Sequence, residues 1–322
     1  MMKSIVSIIT PLFNRSDLVP ETWASIQNQS YENWEWIVVD DGSTDGGDAF
    51  IRDLALTDPR VQLHHRESLP KGPSHCRNIG TEFAKGEYLI FLDSDDIISH
   101  TCLEKRVEFI KQHPKFDFAV FAQATFTTKI KDHEVFGNIY KDKKQYLISF
   151  IKDMPPWCIS GPIWKTVSFQ LIGGFREDYM IMEDPELHIR ALMSGLNFEV
   201  VETSPDFFYR VLPKTPEQEI AFWKNSILGR ITFFKNLYPQ MKTVEHKIAL
   251  QEGIKNLYGT FLLSRIVKFK NVHDDFMNWI KERNLMPKNK MSFIKLYLCI
   301  SNHRVLNSIP FIKGWLFRNT IN

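Results

Sequence analysis

EYLIFLDSDD, the sequence of residues 87–96, is a run of apolar and aromatic residues that ends in three aspartates. A short apolar run of this kind is typical of a strand that is buried on both faces, as in a parallel sheet. The stretch 36–41, WIVVDD, has the same form, and residues 4–9, SIVSII, end at Thr10-Pro11. The sequence therefore predicts three buried strands, each followed by polar side chains.

Residues with helical spacing lie between the first two of these strands. Val19, Trp23 and Ile26 stand at i, i+4 and i+7, and Ser16-Asp17 offers an N-cap before them. Strand, helix and strand within about 40 residues form a βαβ unit, which requires a parallel sheet. The predicted fold class is therefore α/β, with a Rossmann-like, mostly parallel sheet flanked by helices.

The alternation of strands and helices continues and then stops. Residues 60–65 predict a further strand, residues 76–83 a helix, and residues 99–114 another helix with Ser99 as its N-cap. The pattern fades after residue 127, and beyond Pro216 it is wholly helical.

Three regions are expected from this pattern: an α/β region over residues 1–127, a middle region over 128–215 and a helical region over 216–322. The charge follows the same division, since residues 217–322 hold 17 Lys/Arg and 7 Asp/Glu although the whole chain is only +2. So small a net charge indicates no nucleic-acid partner. A basic, aromatic tail can lie against anionic lipid, whereas helical packing, dimerisation or a solvated helical face is an equally open interpretation. The basic residues that suit a membrane surface are Lys268, Lys270, Lys288, Lys290 and Arg304.

The cysteines and the apolar stretches bear on location. Cys76, Cys102, Cys158 and Cys299 lie far apart, without the spacing of a zinc site, and are expected to be reduced thiols. No signal peptide and no membrane-spanning run of about 20 apolar residues is recognisable. We therefore expect a cytoplasmic protein that is at most peripheral on the inner face of the cell membrane.

The chemistry is expected at the three strand ends. In open α/β sheets, ligands bind at the carboxyl ends of the strands, and here several acidic side chains would crowd that edge. Like charges so close repel each other, and a divalent cation with oxygen ligands relieves the repulsion. In Asp93-Ser94-Asp95, alternation along a strand would put both carboxylates on one side and Ser94 on the other. A plain acidic loop is the alternative interpretation of this motif alone.

The motif has companions in a fixed order, and together they resemble glycosyltransferase family 2, whose members have the GT-A fold. The matching stretches are residues 6–14, 35–45, 72–80, 86–96, 173–175 and 183–184. Their order and spacing fit over residues 4–210, roughly two-thirds of the chain. The resemblance implies an inverting, metal-dependent hexosyl- or N-acetylhexosaminyl-transferase that uses a nucleotide diphosphate sugar, with UDP as the expected nucleotide. The implied acceptor is a glycan or a lipid-linked sugar of bacterial surface polysaccharide or glycoconjugate synthesis.

The resemblance also implies roles for individual residues. Asp95 would be a ligand of Mn²⁺ or Mg²⁺ together with Asp93, and Asp184 would be the catalytic base. Thr10 and Asp41 would contact the nucleotide base. The full set of implied donor-binding residues is Thr10, Pro11, Phe13, Asn14, Asp41, Arg77, Asp93 and Ser94.

The middle region supplies candidates for the acceptor and the diphosphate. Glu183, Trp157 and Arg210 are the principal ones, and Trp164, Tyr179 and Lys214 are further possibilities. Each has a structural alternative, because aromatic residues of this kind are more often core. Asp184 precedes Pro185, with Gly195 beyond, so it can also serve as the N-cap of a helix.

Three other functions are considered. The run from Asp93 to Ile97 after an apolar strand is similar to the Asp-x-Asp-x-Thr/Val motif of haloacid-dehalogenase-like phosphatases. Its final position is Ile97 in place of Thr or Val, and about 90 residues precede a motif that usually opens its domain. A catalytically dead glycosyltransferase-like binding module would be expected to lack acidic residues that are present here. A nucleotidyltransferase needs a glycine-rich loop after the first strand, where residues 10–15 contain no glycine.

Overall fold

The computed structural model describes residues 4–67, 69, 71–128, 134–137, 139–262 and 270–302. The chain forms two compact units. The first comprises Met1–Lys143 and Pro155–Pro213, and the second comprises Lys144–Met154 and Lys214–Asn322. The three regions expected from the sequence, 1–127, 128–215 and 216–322, remain a prediction beside this division.

A seven-stranded sheet forms the centre of the described part of the first unit. Its strands, in spatial order, are β10 (Phe198–Val200), β6 (Phe118–Val120), β9 (Pro162–Lys165), β4 (Tyr88–Phe91), β1 (Val6–Leu12), β2 (Trp34–Asp40) and β3 (Val61–His65). Strand β9 is antiparallel to both of its neighbours, and every other pair in the sheet is parallel. The predicted α/β class is therefore confirmed.

The three strands predicted first are neighbours in this sheet. Strand β1 lies between β4 and β2 and is parallel to both, so all three end at one edge. Their side chains are almost all buried, because helices cover both faces of a sheet of this kind. The strand ends therefore meet as the sequence predicts.

Helices of the first unit connect these strands. They are α1 (Val19–Gln27), α2 (Gly47–Thr57), α3 (Pro73–Phe83), α4 (Cys102–Gln112), α6 (Thr166–Leu171) and α7 (Glu183–Met193). Helix α3 packs closely on β1, since a Cβ on Gly80 would lie 2.5 Å from Cγ2 of Ile9. The absence of a side chain at Gly80 therefore sets how near α3 lies to the sheet.

Three predicted helix starts are wrong in detail. The N-cap of α1 is Leu18, because Asp45 instead accepts the backbone N–H of Ser16 at 2.8 Å. The N-cap of α4 is Thr101, and the backbone carbonyl of Ser99 accepts the N–H of Cys102 at 3.0 Å. Asp184 is not the N-cap of α7 but lies in its first turn, after Met182 in the left-handed conformation (φ 79°).

A four-stranded sheet completes the described part of the first unit. Its strands, in order, are β5 (Ile97–Ile98), β11 (Phe207–Arg210), β7 (Gln123–Phe126) and β8 (Glu134–Phe136). Strand β5 follows directly after Asp96 and pairs antiparallel with β11. This pairing brings β11 beside the acidic turn that follows β4.

The described residues of the second unit are helical, as the sequence predicts beyond Pro216. They form α5 (Lys144–Ile151), α8 (Pro216–Leu237), a 3-10 turn (Tyr238–Gln240), α9 (Val244–Asn256), a π-helical turn (Leu257–Leu262), α10 (Lys270–Glu282) and α11 (Lys288–Asn302). Two of the basic residues predicted to suit a membrane surface, Lys268 and Arg304, lie outside the described residues. In the part of the chain that the structure describes, no helix combines the length and the apolar character needed to cross a bilayer.

Candidate active site

A cavity of 540 Å³ opens at the shared carboxyl ends of β1, β2 and β4. Its wall is built from the loops after these strands, from the start of α3 and from residues near α7 and in β11. The lining residues are Pro11, Leu12, Phe13, Arg15, Asp41, Lys71, Gly72, Pro73, Cys76, Arg77, Asp93, Ser94, Asp95, Met180, Glu183 and Tyr209. Seven of the donor-binding and acidic residues named from the sequence therefore share one cavity, namely Pro11, Phe13, Asp41, Arg77, Asp93, Ser94 and Asp95.

The acidic motif lies in a turn and not in a strand. Strand β4 ends at Phe91, and the backbone N–H of Asp96 donates to the carbonyl of Asp93 at 3.1 Å. The argument from strand alternation is therefore wrong. Asp93 and Asp95 nevertheless both line the cavity. Ser94 lines the same cavity and does not face away from it.

Arg77 joins the acidic turn to the start of α7. Its buried guanidinium lies 2.6 Å from Oδ1 of Asp93 and 3.3 Å from Oε1 of Glu183. Burial opposes the charge, but Asp93, Glu183 and Asp184 more than compensate and raise the pKa of Arg77. Arg77 therefore stays charged and holds two acids that are 90 residues apart in the chain.

Asp95 has a different partner on the other side of the turn. Its Oδ2 accepts from Nε of Arg15 at 3.0 Å. Burial raises the pKa of the Asp95 carboxyl, and the neighbouring charge of Asp93 raises it further. The two carboxylates thus repel each other although each has an arginine, which favours a cation between them.

Asp96 and Arg210 stabilise the backbone of the acidic turn after β4. Asp96 is 1% exposed and accepts the backbone N–H of Arg210 at 2.8 Å. Nε of Arg210 donates to the backbone carbonyl of Asp95 at 2.8 Å, and Nη2 contacts Glu21 at the same distance. Arg210 does not line the cavity, so the predicted contact with a diphosphate or acceptor is not supported. Its guanidinium instead fixes the backbone on which Asp95 stands.

One side of the cavity is formed around Asp41. This carboxylate accepts from Nε of Arg66 and from the backbone N–H of Gly72, the latter at 3.1 Å. Phe13 is 47% exposed at the cavity, and Nζ of Lys71 lies 5.3 Å from the centre of its ring. An exposed ring beside a fixed carboxylate offers one stacking surface and one hydrogen-bond acceptor for a base.

Thr10 and Asn14 hold the loops and do not line the cavity. The Thr10 hydroxyl is fully buried and accepts from Nε1 of Trp36 at 2.9 Å. Asn14 has a left-handed backbone (φ 50°), and its Oδ1 accepts the N–H of Thr44 at 2.9 Å. Their predicted contact with the nucleotide is therefore not supported by these side chains, which instead tie the end of β1 to neighbouring residues.

The acids at the start of α7 are separately held. Glu183 lines the cavity beside Arg77, and burial raises its pKa. Asp184 is not among the lining residues, and its Oδ1 lies 2.7 Å from Nδ1 of His188. The charge of Asp184 nevertheless acts on Arg77 and on Cys158, so it stands near the cavity without forming its wall.

The aromatic candidates for an acceptor surface are core residues. Trp157 is 1% exposed, Trp164 is fully buried and Tyr179 is 4% exposed. A ring must present an open face to stack on a sugar, so the acceptor contact predicted for Trp157 is contradicted by its burial. Lys214, the other predicted diphosphate contact, lies in the second unit, where its Nζ is 4.7 Å from the ring centre of Phe222.

Several cavity residues were missed by the sequence analysis. Arg15 follows the end of β1 and could have been found by the same strand-end rule as Asp41. Tyr209 is 44% exposed in β11, and burial together with the nearby carboxylates raises its pKa to about 12, so its hydroxyl stays protonated and can donate. Lys71 and Met180 belong to loops, for which the sequence carries no comparable signal.

The family of the chain follows from two matches that overlap this site. Residues 7–161 match the model of glycosyl transferase family 2, and residues 88–281, more than half of the chain, match that of glycosyl transferase family group 2. The chain belongs to glycosyltransferase family 2. The family expected from the ordered motifs is thereby confirmed, and with it the enzyme class, a glycosyltransferase, in place of a phosphatase.

Two curated relatives indicate how far the similarity in sequence extends. An uncharacterized glycosyltransferase of Haemophilus influenzae is 42% identical over 113 residues, which are 35% of this chain and 45% of that protein. The UDP-Glc:alpha-D-GlcNAc-diphosphoundecaprenol beta-1,3-glucosyltransferase WfgD of Escherichia coli is 28% identical over 182 residues, 55% of this chain and 68% of that protein. The first-ranking relatives are matched over less than half of their own length.

Two solved structures share the fold over nearly the whole chain. Staphylococcus aureus TarS, residues 1–349 in complex with UDP-GlcNAc, is 16% identical with a TM-score of 0.64, covering 99% of this chain and 90% of that one. The mannosyltransferase PcManGT of Pyrobaculum calidifontis, in complex with GDP-Man and Mn²⁺, is 16% identical with a TM-score of 0.56, covering 100% and 88%. The predicted GT-A fold is thereby confirmed.

Proposed function

We propose that this protein is an inverting glycosyltransferase that moves one sugar from a UDP-linked donor to a hydroxyl group of a glycan or lipid-linked acceptor. The observation that carries the proposal is the cavity of 540 Å³ at the carboxyl ends of three parallel strands. Its wall combines the exposed ring of Phe13 and the carboxylate of Asp41 with the carboxylates of Asp93 and Asp95. A nucleoside diphosphate presents these features in the same order, as a base, a ribose and a charged diphosphate.

The proposed donor contacts follow from the cavity wall. Phe13 would stack on the base and Asp41 would accept from its N–H, while Asp93 stands nearer the ribose. Arg15 and Lys71 supply positive charge in the same wall, and the diphosphate needs such charge. A UDP-linked donor is supported by two similar proteins, because WfgD is named for UDP-Glc and TarS was solved with UDP-GlcNAc.

A divalent metal ion, Mn²⁺ or Mg²⁺, fits the residues of this site. Asp95 and Asp93 would hold it, because their carboxylates face one cavity and repel each other. Among the residues that the structure describes, no group of three or more Asp, Glu, His or Cys is arranged to hold an ion. The remaining ligands would thus be diphosphate oxygens and water, as is usual for Mg²⁺. When bound, the ion supplies charge stabilisation to the leaving diphosphate.

Asp184 is the proposed catalytic base. The acceptor oxygen forms its bond to the anomeric carbon while the bond from that carbon to the diphosphate breaks. The hydroxyl proton passes to Asp184, and the departing nucleoside diphosphate keeps the bonding electron pair. A single displacement of this kind inverts the anomeric configuration. The base must stand across the anomeric carbon from the diphosphate, which agrees with a carboxylate near the cavity but outside its wall.

The acceptor and the place of action are proposed more broadly. A role in bacterial surface polysaccharide or glycoconjugate synthesis is supported by the lipid-linked substrate in the name of WfgD. The proposed place of this synthesis is the cytoplasm. Contact with an anionic membrane surface is supported by a cavity of 330 Å³ in the second unit, lined by Lys281, Lys288 and Lys295 among others. Co-flotation with phosphatidylglycerol vesicles but not with phosphatidylcholine vesicles is the expected result, and equal recovery with both would contradict it.

A thermal-shift screen of the wild-type protein tests the donor and the metal together. UDP, GDP and their sugar conjugates are compared with and without Mn²⁺ or Mg²⁺. A ligand at 100 times its Kd stabilises the folded protein by about 2.7 kcal/mol, so even weak donors are detected. We expect UDP compounds to raise the melting temperature, and more so with metal. The same melting temperature with every nucleotide would contradict the proposed function.

A further inference from the structure

His188 lies directly behind the proposed base. It stands one turn after Asp184 in α7, and its Nδ1 is 2.7 Å from Oδ1 of Asp184 and 2.9 Å from the backbone carbonyl oxygen of the same residue. A carboxylate oxygen and a carbonyl oxygen both accept hydrogen bonds and cannot donate. Nδ1 must therefore carry the proton: its N–H donates to the backbone carbonyl of Asp184, and Oδ1 lies in contact with the same nitrogen without a hydrogen bond of its own among the described residues.

The ring of His188 is held in place by two tryptophans. The side chain is fully buried, with the ring of Trp157 edge-on at 5.5 Å and that of Trp164 at 5.7 Å. Both tryptophans are themselves at most 1% exposed. An imidazole packed in this way cannot turn without moving the core, so its N–H points at Asp184 in a fixed direction.

The two acids at the start of α7 differ in the kind of partner that holds them. Glu183 contacts the guanidinium of Arg77, a permanent positive charge that offsets the charge of the acid. Asp184 contacts an imidazole, which in its neutral form orients a carboxylate without cancelling its charge. A general base needs a fixed direction and an undiminished ability to accept a proton.

We propose that His188 is a positioning residue for Asp184. Its Nδ1–H bonds to the backbone carbonyl of Asp184, and the contact of 2.7 Å between Nδ1 and Oδ1 confines that oxygen, so that the second carboxylate oxygen takes the proton of the acceptor hydroxyl. The inference rests on the proposed role of Asp184 as the base. It also gives a function to the packing of Trp157 and Trp164 on the His188 ring, because this packing keeps the Nδ1–H group in place.

Two substitutions separate positioning from packing. His188→Phe keeps an aromatic ring between the tryptophans and removes the hydrogen-bond donor Nδ1–H. His188→Asn keeps a hydrogen-bond donor near the position of Nδ1 and removes the aromatic packing. With His188→Phe we expect kcat to fall by about 10–100-fold, because small misplacements of a reacting group can cost that much. The KM for the sugar nucleotide should be unchanged, and the melting temperature nearly unchanged. With His188→Asn we expect a lower melting temperature and a kcat within about threefold of wild type. If His188 has only a structural role, activity will follow stability, and His188→Asn will lose more activity than His188→Phe. That result would overturn the proposal.

A control and a double variant complete the test. His113 bonds through Nδ1 to the carbonyl of Phe109, four residues before it, at 2.9 Å, and among the described residues it forms no ion pair with a carboxylate. His113→Phe should therefore leave kcat unchanged. In the background of Asp184→Asn, His188→Phe should have no further effect on the residual rate. This cycle decides the matter even if His188→Asn does not fold, since a full additional loss in that background contradicts positioning.

The outcome also distinguishes the two proposals. If Asp184→Asn keeps full activity, the base assignment fails and the role of His188 fails with it. If Asp184→Asn is inactive while His188→Phe has the kcat of wild type, the base stands and only the positioning role is wrong.

Discussion

Nη2 of Arg77 lies 2.6 Å from Oδ1 of Asp93, and the same guanidinium reaches Glu183 at 3.3 Å. The arginine side chain is 3% exposed, so the cation itself is shielded from solvent. The acidic turn after β4 and the acids that open α7 are thus held by one buried cation. This relationship ties the proposed metal-binding turn to the helix that carries the proposed base.

Replacing Arg77 should cost stability as well as activity. Arg77→Gln removes the buried cation and leaves Asp93 and Glu183, whose side chains are 32% and 16% exposed, without this partner. Breaking a buried ion pair by removing one partner typically destabilises a protein by about 3–5 kcal/mol. Urea denaturation measures the change. As a control, Arg176→Gln breaks the exposed pair with Asp178 and should cost less than about 1 kcal/mol. Equal effects of the two substitutions would contradict the role given to Arg77.

Asp95 is expected to control the effect of metal on donor binding. Asp95→Ala removes the carboxylate that we propose as the main metal ligand, so UDP should bind with the same affinity whether Mn²⁺ is present or not. Titration calorimetry of UDP with and without Mn²⁺ measures this difference. The control is Asp48→Ala, which removes a carboxylate of the surface pair with Arg52 and should keep the wild-type response. A wild-type affinity for UDP that is independent of Mn²⁺ would refute the metal proposal itself.

Asp184 and Glu183 can be distinguished as bases by matched amide substitutions. Asp184→Asn should leave binding of UDP-sugar and Mn²⁺ nearly intact while transfer falls by about 10²–10⁴-fold, the usual worth of general-base catalysis. Glu183→Gln keeps a hydrogen-bond acceptor for Arg77 and should reduce kcat by less than about tenfold. Initial rates at saturating donor measure both. The opposite pattern would make Glu183, which lines the cavity, the base.

The sequence predicts the site as far as local patterns reach. An apolar run followed by aspartates is a local signal, and the edge where Asp41, Asp93 and Asp95 meet follows from parallel pairing alone. The pairing of Arg77 with Glu183 spans 106 positions, and that of Arg210 with Asp95 spans 115. No periodicity in a sequence carries such a contact, because it depends on how separate elements pack. Arg77 and Arg210 were therefore predicted only as ligand contacts, and their bonds to the acidic turn were not foreseen.

Local chemistry also misled where two partners compete for the same group. Ser16-Asp17 has the composition of an N-cap, yet the N–H of Ser16 bonds to Asp45, which lies 29 positions further on. The exposure of aromatic residues is equally hidden, since Trp157 and Phe13 look alike in a sequence but are 1% and 47% exposed. His188 could have been noticed, because residues four apart lie on one face of a helix.

Asp153 gives a pH-dependent prediction for the second unit. Its carboxylate is 2% exposed and pairs with Nε of Arg230 at 2.6 Å, and burial raises its pKa from 3.8 to about 6 in spite of that pair. Because the folded-state pKa lies above that of the unfolded chain, the contribution of this group to stability is fully present below about pH 4 and is lost as the pH rises to about 6. Asp153→Asn removes the titration, and asparagine tolerates the left-handed backbone of this position (φ 56°).

The difference in stability between the two proteins isolates this group from the other carboxyls that titrate in the same range. Between about pH 4 and pH 6, the free energy of unfolding of the wild-type protein should fall by about 3 kcal/mol relative to Asp153→Asn, at 1.36 kcal/mol for each unit of pKa. Urea denaturation of both proteins at several pH values from 4 to 7 measures the difference. It should be constant above about pH 6, where the carboxyl is ionised in both folded and unfolded wild-type chains. A difference that does not change with pH would mean that Arg230 compensates fully for the burial of Asp153.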